Sequence, residues 1–217
     1  MERVVLKTED DVEIIGTYRS PASPTHAAIL LHMMPATKES WDAFATELEN
    51  AHCASIAIDE RGHGESTMNG TLDYHAFDES QQQAKIHDVE AAFAYLQSQG
   101  FKESDTVVVG ASIGANLAIQ FLTMHPQILG AIALSPGLNY RGVKTDGYIS
   151  QLHAGQRVVL VASDDDDRAS AMSSRALHEL NPSQTTLIEK HGLGHGTNML
   201  EKDPELTKEL IHLLFVK

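Results

Sequence analysis

The chain has 217 residues and a mass of 23.7 kDa, which suits one layered domain with a single core. Its 42% hydrophobic residues are enough to fill that core and exclude a disordered or collagen-like chain. The single cysteine, Cys53, excludes an intramolecular disulfide and a cysteine-based zinc site. Thirty acidic against sixteen basic residues give a formal net charge of -14, which disfavours nucleic acid and anionic lipid surfaces as partners.

The sequence indicates neither an export signal nor a membrane-spanning segment. Acidic residues interrupt the first ten positions before an apolar stretch forms. No uninterrupted apolar run approaches the roughly 18 residues that a membrane span needs. We therefore expect a cytoplasmic protein whose partner is a small molecule, and nothing in the sequence indicates its oligomeric state.

Short β-type runs alternate with longer helical stretches along the chain. The runs Val4–Lys7 and Val12–Tyr18 flank an acidic turn and predict a β-hairpin. Continuous apolar runs bounded by turn residues are typical of strands that are buried on both faces of a parallel sheet. Six such runs lie at residues 27–32, 54–58, 106–109, 131–134, 158–161 and 185–188. Together with the hairpin they predict eight strands.

Helical stretches separate these strands. Thr37 is a possible N-cap, and Gly100, Pro126 and Pro182 mark helix ends. Alternating strands and helices predict an α/β domain with a mostly parallel sheet flanked by helices. We expect residues 1–217 to form one domain, since no repeat or long linker divides them. The predicted helices lie at residues 38–51, 79–99, 113–125, 168–180 and 205–216.

The sequence GASIG at residues 110–114 fits the pattern G-x-S-x-G. The pattern alone is weak, because it arises by chance in on the order of one chain in ten of this length. Here a predicted strand runs into it and a predicted helix runs out of it, as in a nucleophile elbow. Such a sharp turn lifts the serine hydroxyl clear of the sheet and requires glycines on either side. We predict that Ser112 is a nucleophile; the alternative is a serine that only caps the helix.

A serine hydroxyl needs a base to act as a nucleophile at neutral pH. The chain has twelve histidines. His195 is the favoured base because it follows the last predicted strand and so lies on the same edge of the sheet as Ser112. His191, which is closer to that strand, is the main alternative, and an ordinary surface-loop role for His195 is another.

The base in turn needs a carboxylate, and four aspartates at residues 164–167 follow the strand at 158–161. Four adjacent acids repel one another, so we expect one to be ionised beside the imidazole while the others face water. The others would complement the dipole of the helix that follows. All four satisfy the order serine, acid, histidine that this kind of elbow requires.

The oxyanion of the reaction needs two backbone N–H donors. One donor follows the nucleophile and is Ile113. The other lies in the loop after the third strand, where we expect Met34 because the next residue, Pro35, has no N–H. The methionine side chains of this loop also suit core packing, which is compatible because the oxyanion hole uses only the backbone.

Together these motifs resemble those of the α/β-hydrolase fold serine hydrolases, and within them the small bacterial carboxylesterases similar to dienelactone hydrolases and monoacylglycerol-type lipases. The resemblance covers nearly the whole chain. It includes the sequence DERGHGES at residues 59–66, which looks like the family's D-x-R-G-x-G-x-S turn. That turn is structural in the family, which implies that His63 is not catalytic. The family commonly has His-Gly after the third strand, whereas this chain has His32-Met33.

The resemblance also selects the acid among the four aspartates. In the family a small residue followed by x-x-D lies after the seventh strand, and the sequence SDDD at residues 163–166 matches that pattern at Asp166. The implied triad is Ser112, Asp166 and His195. It predicts a serine hydrolase that cleaves carboxylic esters through an acyl-enzyme and needs no metal or organic cofactor.

Other functions fit the same motifs less well. A thioesterase or an amidase is the first alternative, since the nucleophile elbow does not determine which leaving group the enzyme accepts. A non-catalytic binding module on this fold is a weaker alternative, because all three triad positions are filled.

Access to the site follows from the connection between the sixth and seventh predicted strands. Residues 136–157 must hold a crossover helix near 146–153. The remaining residues can form a short loop at the rim of the site, a lip, but they are too few for a lid domain. We therefore expect a solvent-open cleft that prefers short and medium acyl chains. Its expected walls are Met33, Met34, Leu138, Tyr140 and Met172.

Overall fold

The protein folds as an eight-stranded sheet with helices on both faces. The structure is a computed structural model that describes the backbone of residues 1–215 and the side chains of residues 1–213. The strands follow the order β1-β2-β4-β3-β5-β6-β9-β10 across the sheet. They are β1 (Glu2–Lys7), β2 (Glu13–Arg19), β3 (His26–Leu31), β4 (Cys53–Ile58), β5 (Thr106–Ala111), β6 (Gly130–Leu134), β9 (Arg157–Ser163) and β10 (Thr185–Lys190).

Only the first two strands break the parallel arrangement. Strand β1 pairs antiparallel with β2, and β2 pairs antiparallel with β4, while all other neighbours are parallel. The predicted hairpin and the predicted eight-stranded, mostly parallel sheet are therefore confirmed. Because parallel strands end at the same edge, the loops after β3, β5, β6, β9 and β10 meet there.

Eight α-helices lie in the described part of the chain, six between the strands and two after the last strand. Two helical predictions differ from the structure in detail. Residues 38–51 begin as a 3-10 turn, Lys38–Trp41, and Thr37 makes no side-chain cap. Residues 79–99 form two helices, with a turn at 84–85 that directs the buried Lys85 toward Glu60. The last predicted residue, Val216, lies outside the described residues. The helices are α1 (Asp42–Asn50), α2 (Glu79–Gln83), α3 (Ile86–Ser98), α4 (Ile113–Met124), α5 (Asp146–Ile149), α6 (Arg168–Leu180), α7 (Asn198–Lys202) and α8 (Pro204–Phe215).

Two apolar cores cover the two faces of the sheet. Helices α3 and α4 pack on one face, with Phe93 and Phe121 among their buried residues. Helices α1 and α8 pack on the other, through residues such as Phe44 and Leu210. The central strands are buried along their length, which explains their continuous apolar sequence. None of the helices in the described residues is long and apolar enough to cross a membrane.

The connection between β6 and β9 forms a small lip over the carboxyl edge of the sheet. It contains a two-stranded hairpin, β7 (Asn139–Tyr140) and β8 (Val143–Lys144), followed by the one-turn helix α5. Nothing in residues 1–215 forms a lid domain, in agreement with the expectation from the sequence.

Candidate active site

Ser112 lies at the turn between β5 and α4, with backbone angles of φ 55° and ψ -118°. A positive φ in a residue other than glycine is uncommon and costs free energy unless the surroundings impose it. Both glycines of the motif are needed for this turn. A Cβ at Gly110 would lie 2.1 Å from the carbonyl oxygen of Gly114, and a Cβ at Gly114 would lie 2.5 Å from that of Leu31. The turn places Ser112 half-buried at the edge of the sheet.

His195 lies in the loop after β10 and pairs with an aspartate of the loop after β9. Its Nδ1 lies 2.7 Å from Oδ2 of Asp167. Since an ionised carboxylate only accepts hydrogen bonds, Nδ1 carries the hydrogen and Nε2 is the basic atom of the neutral ring. The side chain of His195 is 34% exposed and that of Asp167 only 12%.

The structure therefore brings Asp167, and not the predicted Asp166, into contact with His195. The chain turns after Ser163, whose carbonyl accepts the Asp167 N–H over 3.1 Å, and Asp167 precedes α6 directly. This turn directs Asp167 inward and leaves Asp166 exposed. The other two aspartates have different partners: Asp164 pairs with His191, and Asp165 accepts the Gly192 N–H.

The surroundings of Asp167 favour its ionised form. Burial alone would raise the pKa of this carboxyl group, but hydrogen bonds from His195, Ser135 and Ser170 and the charge on His195 lower it below its usual value. An ionised Asp167 is the form that holds the His195 Nδ1–H and stabilises an imidazolium.

Ser135 is a site residue that sequence analysis missed. It follows β6 directly, is fully buried and has a φ of 52°. Its Oγ accepts the Gly196 N–H over 2.9 Å, and its hydroxyl helps to lower the pKa of Asp167. Ser135 thus joins the acid to the loop that carries His195. A polar residue at the carboxyl end of the strand next to β5 was the available signal.

Tyr140 was expected to line the cleft, and the structure places its ring near that of His195. Its hydroxyl lies 2.9 Å from Oγ of Ser170 and 3.2 Å from the carbonyl oxygen of Ser135. Within residues 1–213, no hydrogen bond joins Ser112 to His195, and the His195 ring lies edge to face with that of Tyr140 at a centroid distance of 6.5 Å. In enzymes without substrate, the distance between the nucleophile and its base is often too long for a hydrogen bond.

The loop after β3 presents backbone donors beside the elbow. His32 fixes this loop: its Nε2 accepts the Glu60 N–H over 3.0 Å, so its Nδ1 carries the hydrogen that the Met33 carbonyl accepts at 3.0 Å. In the described part of the chain the N–H groups of Met34 and Ile113 have no protein acceptor. Two unpaired backbone donors are what an oxyanion hole needs.

Residues 22–154 match the model of a protein family described as serine aminopeptidase, S33. The matched range contains the elbow and the loop after β3, and it ends before Asp167 and His195. The chain belongs to this family. It is therefore an α/β hydrolase by sequence as well as by fold. No curated protein matches this hydrolase in sequence.

Two solved structures share the fold along nearly the whole chain. The esterase Pf2001 of Pyrococcus furiosus has a TM-score of 0.80 at 19% identity, over 98% of this chain and 89% of its own. Est1E of Butyrivibrio proteoclasticus, solved with ferulic acid bound, has a TM-score of 0.79 at 17% identity, over 99% of this chain and all of its own. At such low identity these similarities establish the fold.

The turn at residues 59–66 of the hydrolase contains a histidine in a buried, structural position. His63 is buried there, stacked on Tyr74 with ring centroids 3.8 Å apart. Its Nε2 lies 3.3 Å from Nζ of Lys85, which also binds Glu60 at 2.9 Å. Burial, followed by the charge of Lys85, lowers the pKa of His63 to about 2. A buried neutral histidine fits the structural role that the resemblance implied.

The remaining expected cleft residues differ in their surroundings. Met33 packs against the loop that carries His195, since a Cβ on Gly196 would lie 2.6 Å from its sulfur. Leu138 is 41% exposed on the lip, and Met172 is 68% exposed on α6. Their contact with a substrate stays a prediction.

His191, the alternative base, lies on the surface. Its Nδ1 lies 2.6 Å from Oδ1 of Asp164, and its side chain is 74% exposed. Together with Asp165 these two residues place potential metal ligands within 4.8 Å of one another. The group is exposed, and Asp164 is already paired with Arg175. It lies apart from the hydrogen bonds around Asp167.

Proposed function

We propose that this hydrolase cleaves carboxylic esters of short to medium chain length through an acyl-enzyme, with Ser112, His195 and Asp167 as its triad. The observation that carries the proposal is the His195–Asp167 hydrogen bond of 2.7 Å at the sheet edge where the strained elbow presents Ser112. This combination matches the serine, acid, histidine order of hydrolases with such an elbow.

In the first half of the reaction, Ser112 Oγ attacks the ester carbonyl carbon and its proton passes to His195 Nε2. Asp167 stabilises the resulting imidazolium through the hydrogen bond to Nδ1. The carbonyl oxygen becomes an oxyanion, and the N–H groups of Met34 and Ile113 are the donors for it. When the carbon–oxygen bond breaks, His195 returns the proton to the departing alcohol.

In the second half, a water molecule attacks the carbonyl carbon of the acyl-enzyme, and His195 takes a proton from this water. Collapse of the second oxyanion releases the carboxylic acid, and Ser112 Oγ regains its proton from His195. All proton transfers use His195 Nε2, and no step requires a metal ion or an organic cofactor.

Esters are the favoured substrates because of the chain's structural relatives. Pf2001 is an esterase, and Est1E was solved with ferulic acid, an aromatic carboxylic acid. The lip at residues 135–156 holds only a short hairpin and a one-turn helix, which supports a sheet edge that is open to substrates in solution. An open cleft buries few methylene groups, which supports short and medium chains over long ones.

Amide cleavage is the second candidate. The matched family is described as serine aminopeptidase, and the same triad attacks amides. An amine is a poorer leaving group than an alcohol and needs proton donation from His195 as the carbon–nitrogen bond breaks.

A panel of chromogenic substrates tests both candidates. It contains nitrophenyl esters of graded acyl length, one thioester and one amino-acid anilide, each assayed with the wild type and with Ser112→Ala. We expect ester turnover that the variant lacks, and a much lower kcat/KM for the anilide. Faster cleavage of the anilide would favour the amidase, and ester turnover that survives Ser112→Ala would contradict the proposed mechanism.

A further inference from the structure

The peptide bond between Met33 and Met34 carries one of the two donors of the proposed oxyanion hole. This bond is trans, so its carbonyl and its N–H point in opposite directions within one plane. The Met33 carbonyl accepts a hydrogen bond from His32 Nδ1 at 3.0 Å. The position of the His32 ring therefore determines the direction of the Met34 N–H, which points away from the imidazole.

Both nitrogens of the His32 ring are in use. The side chain is fully buried, and its Nε2 accepts the Glu60 N–H over 3.0 Å. Because a backbone N–H only donates, Nε2 carries no hydrogen, and the single hydrogen of the neutral ring is on Nδ1. The hydrogen bond to Glu60 thus selects the tautomer that can hold the Met33 carbonyl.

A buried ion pair holds Glu60 in turn. The Glu60 carboxylate binds Lys85 Nζ at 2.9 Å, and both side chains are fully buried. The His63 ring packs edge to face against His32 with centroids 4.7 Å apart. Because breaking a buried ion pair is strongly unfavourable, this pair keeps the Glu60 backbone in place beside His32.

We propose that His32 is a positioning residue of the oxyanion hole: by holding the Met33 carbonyl, it directs the Met34 N–H at the substrate's carbonyl oxygen before the substrate binds. The inference rests on the proposed acyl-enzyme mechanism at Ser112. In this role His32 touches no reacting atom and transfers no proton. Without its Nδ1–H, the peptide can rotate and turn the Met33 carbonyl oxygen into the site, where it repels an oxyanion.

Loss of this orientation should slow the chemical step and leave substrate binding nearly unchanged. An interaction that is stronger in the transition state than in the bound substrate raises kcat and has little effect on KM. Removing one oxyanion donor costs about 10²- to 10³-fold in kcat. A donor that is still present but misdirected should cost about 10- to 100-fold.

Two amide side chains separate the two hydrogen bonds of His32. Asparagine places its amide nitrogen near the position of Nδ1, where it can donate to the Met33 carbonyl. Glutamine places its amide group near the position of Nε2, where it can accept the Glu60 N–H but does not reach that carbonyl. We expect His32→Asn to keep most of the wild-type kcat and His32→Gln to lose about 10- to 100-fold.

The measurement compares a nitrophenyl ester with its thionoester, in which sulfur replaces the carbonyl oxygen. Sulfur is a weak hydrogen-bond acceptor, so the thionoester gains little from an oxyanion hole. His32→Gln should therefore lower kcat much more for the ester than for the thionoester. His125→Gln makes the same substitution at the end of α4 and should leave the ratio of the two rates unchanged.

Equal losses for the ester and the thionoester in His32→Gln, with a circular dichroism spectrum like that of the wild type, would overturn the inference. So would equal losses of ester turnover in the asparagine and glutamine variants, because His32 would then have only a structural role. His32→Leu removes both hydrogen bonds and provides the same comparison if His32→Gln does not fold. Ester turnover that survives Ser112→Ala would instead overturn the proposed function, and this inference with it.

Discussion

His195 Nδ1 and Asp167 Oδ2 lie 2.7 Å apart, although the two residues are 28 positions apart in sequence and belong to different loops. The hydrogen bond spans the gap between the loops after β9 and β10. Ser135 supports it, because its Oγ accepts the N–H of Gly196, the neighbour of His195, and its hydroxyl helps to lower the pKa of Asp167. The geometry of the base is therefore set by three adjacent strand ends.

Replacing Asp167 by asparagine should slow turnover far more than the same change at Asp166. An asparagine cannot stabilise the imidazolium and can hold the wrong tautomer of His195, so we expect kcat to fall by about 10²- to 10⁴-fold. Asp166→Asn is the matched control, since this side chain is exposed and should change kcat less than about twofold.

The measurement is steady-state turnover of a nitrophenyl ester. A larger loss at Asp166 than at Asp167 would mean that the loop rearranges on substrate binding and would restore the assignment made from sequence.

The difference between these two aspartates indicates how far sequence alone reaches. Apolar runs and turn residues determine which segments are strands, so the sheet and the edge that carries Ser112 and His195 could be predicted. The choice among four consecutive aspartates depends on where the chain turns before α6. That turn is set by a backbone hydrogen bond from Asp167 to Ser163, and no pattern of residue types encodes it.

The same limit applies to the hydroxyl groups around the triad. Ser135 and Ser170 look like ordinary serines in the sequence, and their importance comes from the approach of separate strand ends and of α6. Tyr140 could be placed near the cleft because it lies in the lip. Its hydrogen bond with Ser170 depends on the path of the hairpin formed by β7 and β8.

Ser112→Ala should abolish ester turnover and leave the fold intact. Without the hydroxyl no acyl-enzyme forms, and we expect a loss of at least about 10³-fold in kcat. Turnover of nitrophenyl esters gives the loss, and far-ultraviolet circular dichroism checks the fold. Activity close to that of the wild type would show that Ser112 is not the nucleophile and has only a structural role at the start of helix α4.

His195→Ala should be as severe as Ser112→Ala. The double variant should be no slower than either single variant, because the nucleophile and its base act as one unit. His191→Ala is the control: this exposed side chain pairs with Asp164 and should leave kcat nearly unchanged. If the His191 variant lost activity and the His195 variant kept it, the base would have to be reassigned.

His125 should make the stability of the fold depend on pH. Burial lowers the pKa of this histidine, but its hydrogen bonds to Glu90 and Glu103, at 3.0 and 3.1 Å, raise it above the usual value overall. The charged form is therefore favoured in the folded state. Its contribution is complete below a pH of about 6.5 and is lost as pH rises through the higher pKa of the folded protein.

Urea unfolding of the wild type and of His125→Gln measures this contribution. We expect the substitution to lower the free energy of unfolding more at a pH of about 5.5 than at a pH of about 9. An equal loss at the two pH values would show that His125 contributes through packing alone, against Phe93 and Phe121.

The open edge of the sheet should determine which acyl chains the enzyme prefers. The lip at residues 135–156 offers only a short hairpin and one helical turn, and Leu138 on it is 41% exposed. Each methylene group that a cleft buries contributes about 0.8 kcal/mol, so a shallow cleft gains little from carbons that remain in water. We expect kcat/KM to rise over the first few carbons of the acyl chain and then to level off or fall. The rate should also follow simple saturation through the solubility limit of the ester, because no lid has to open at an interface. A jump in rate above that limit, or a preference for long-chain triglycerides, would mean that the lip rearranges into a cover when lipid is present.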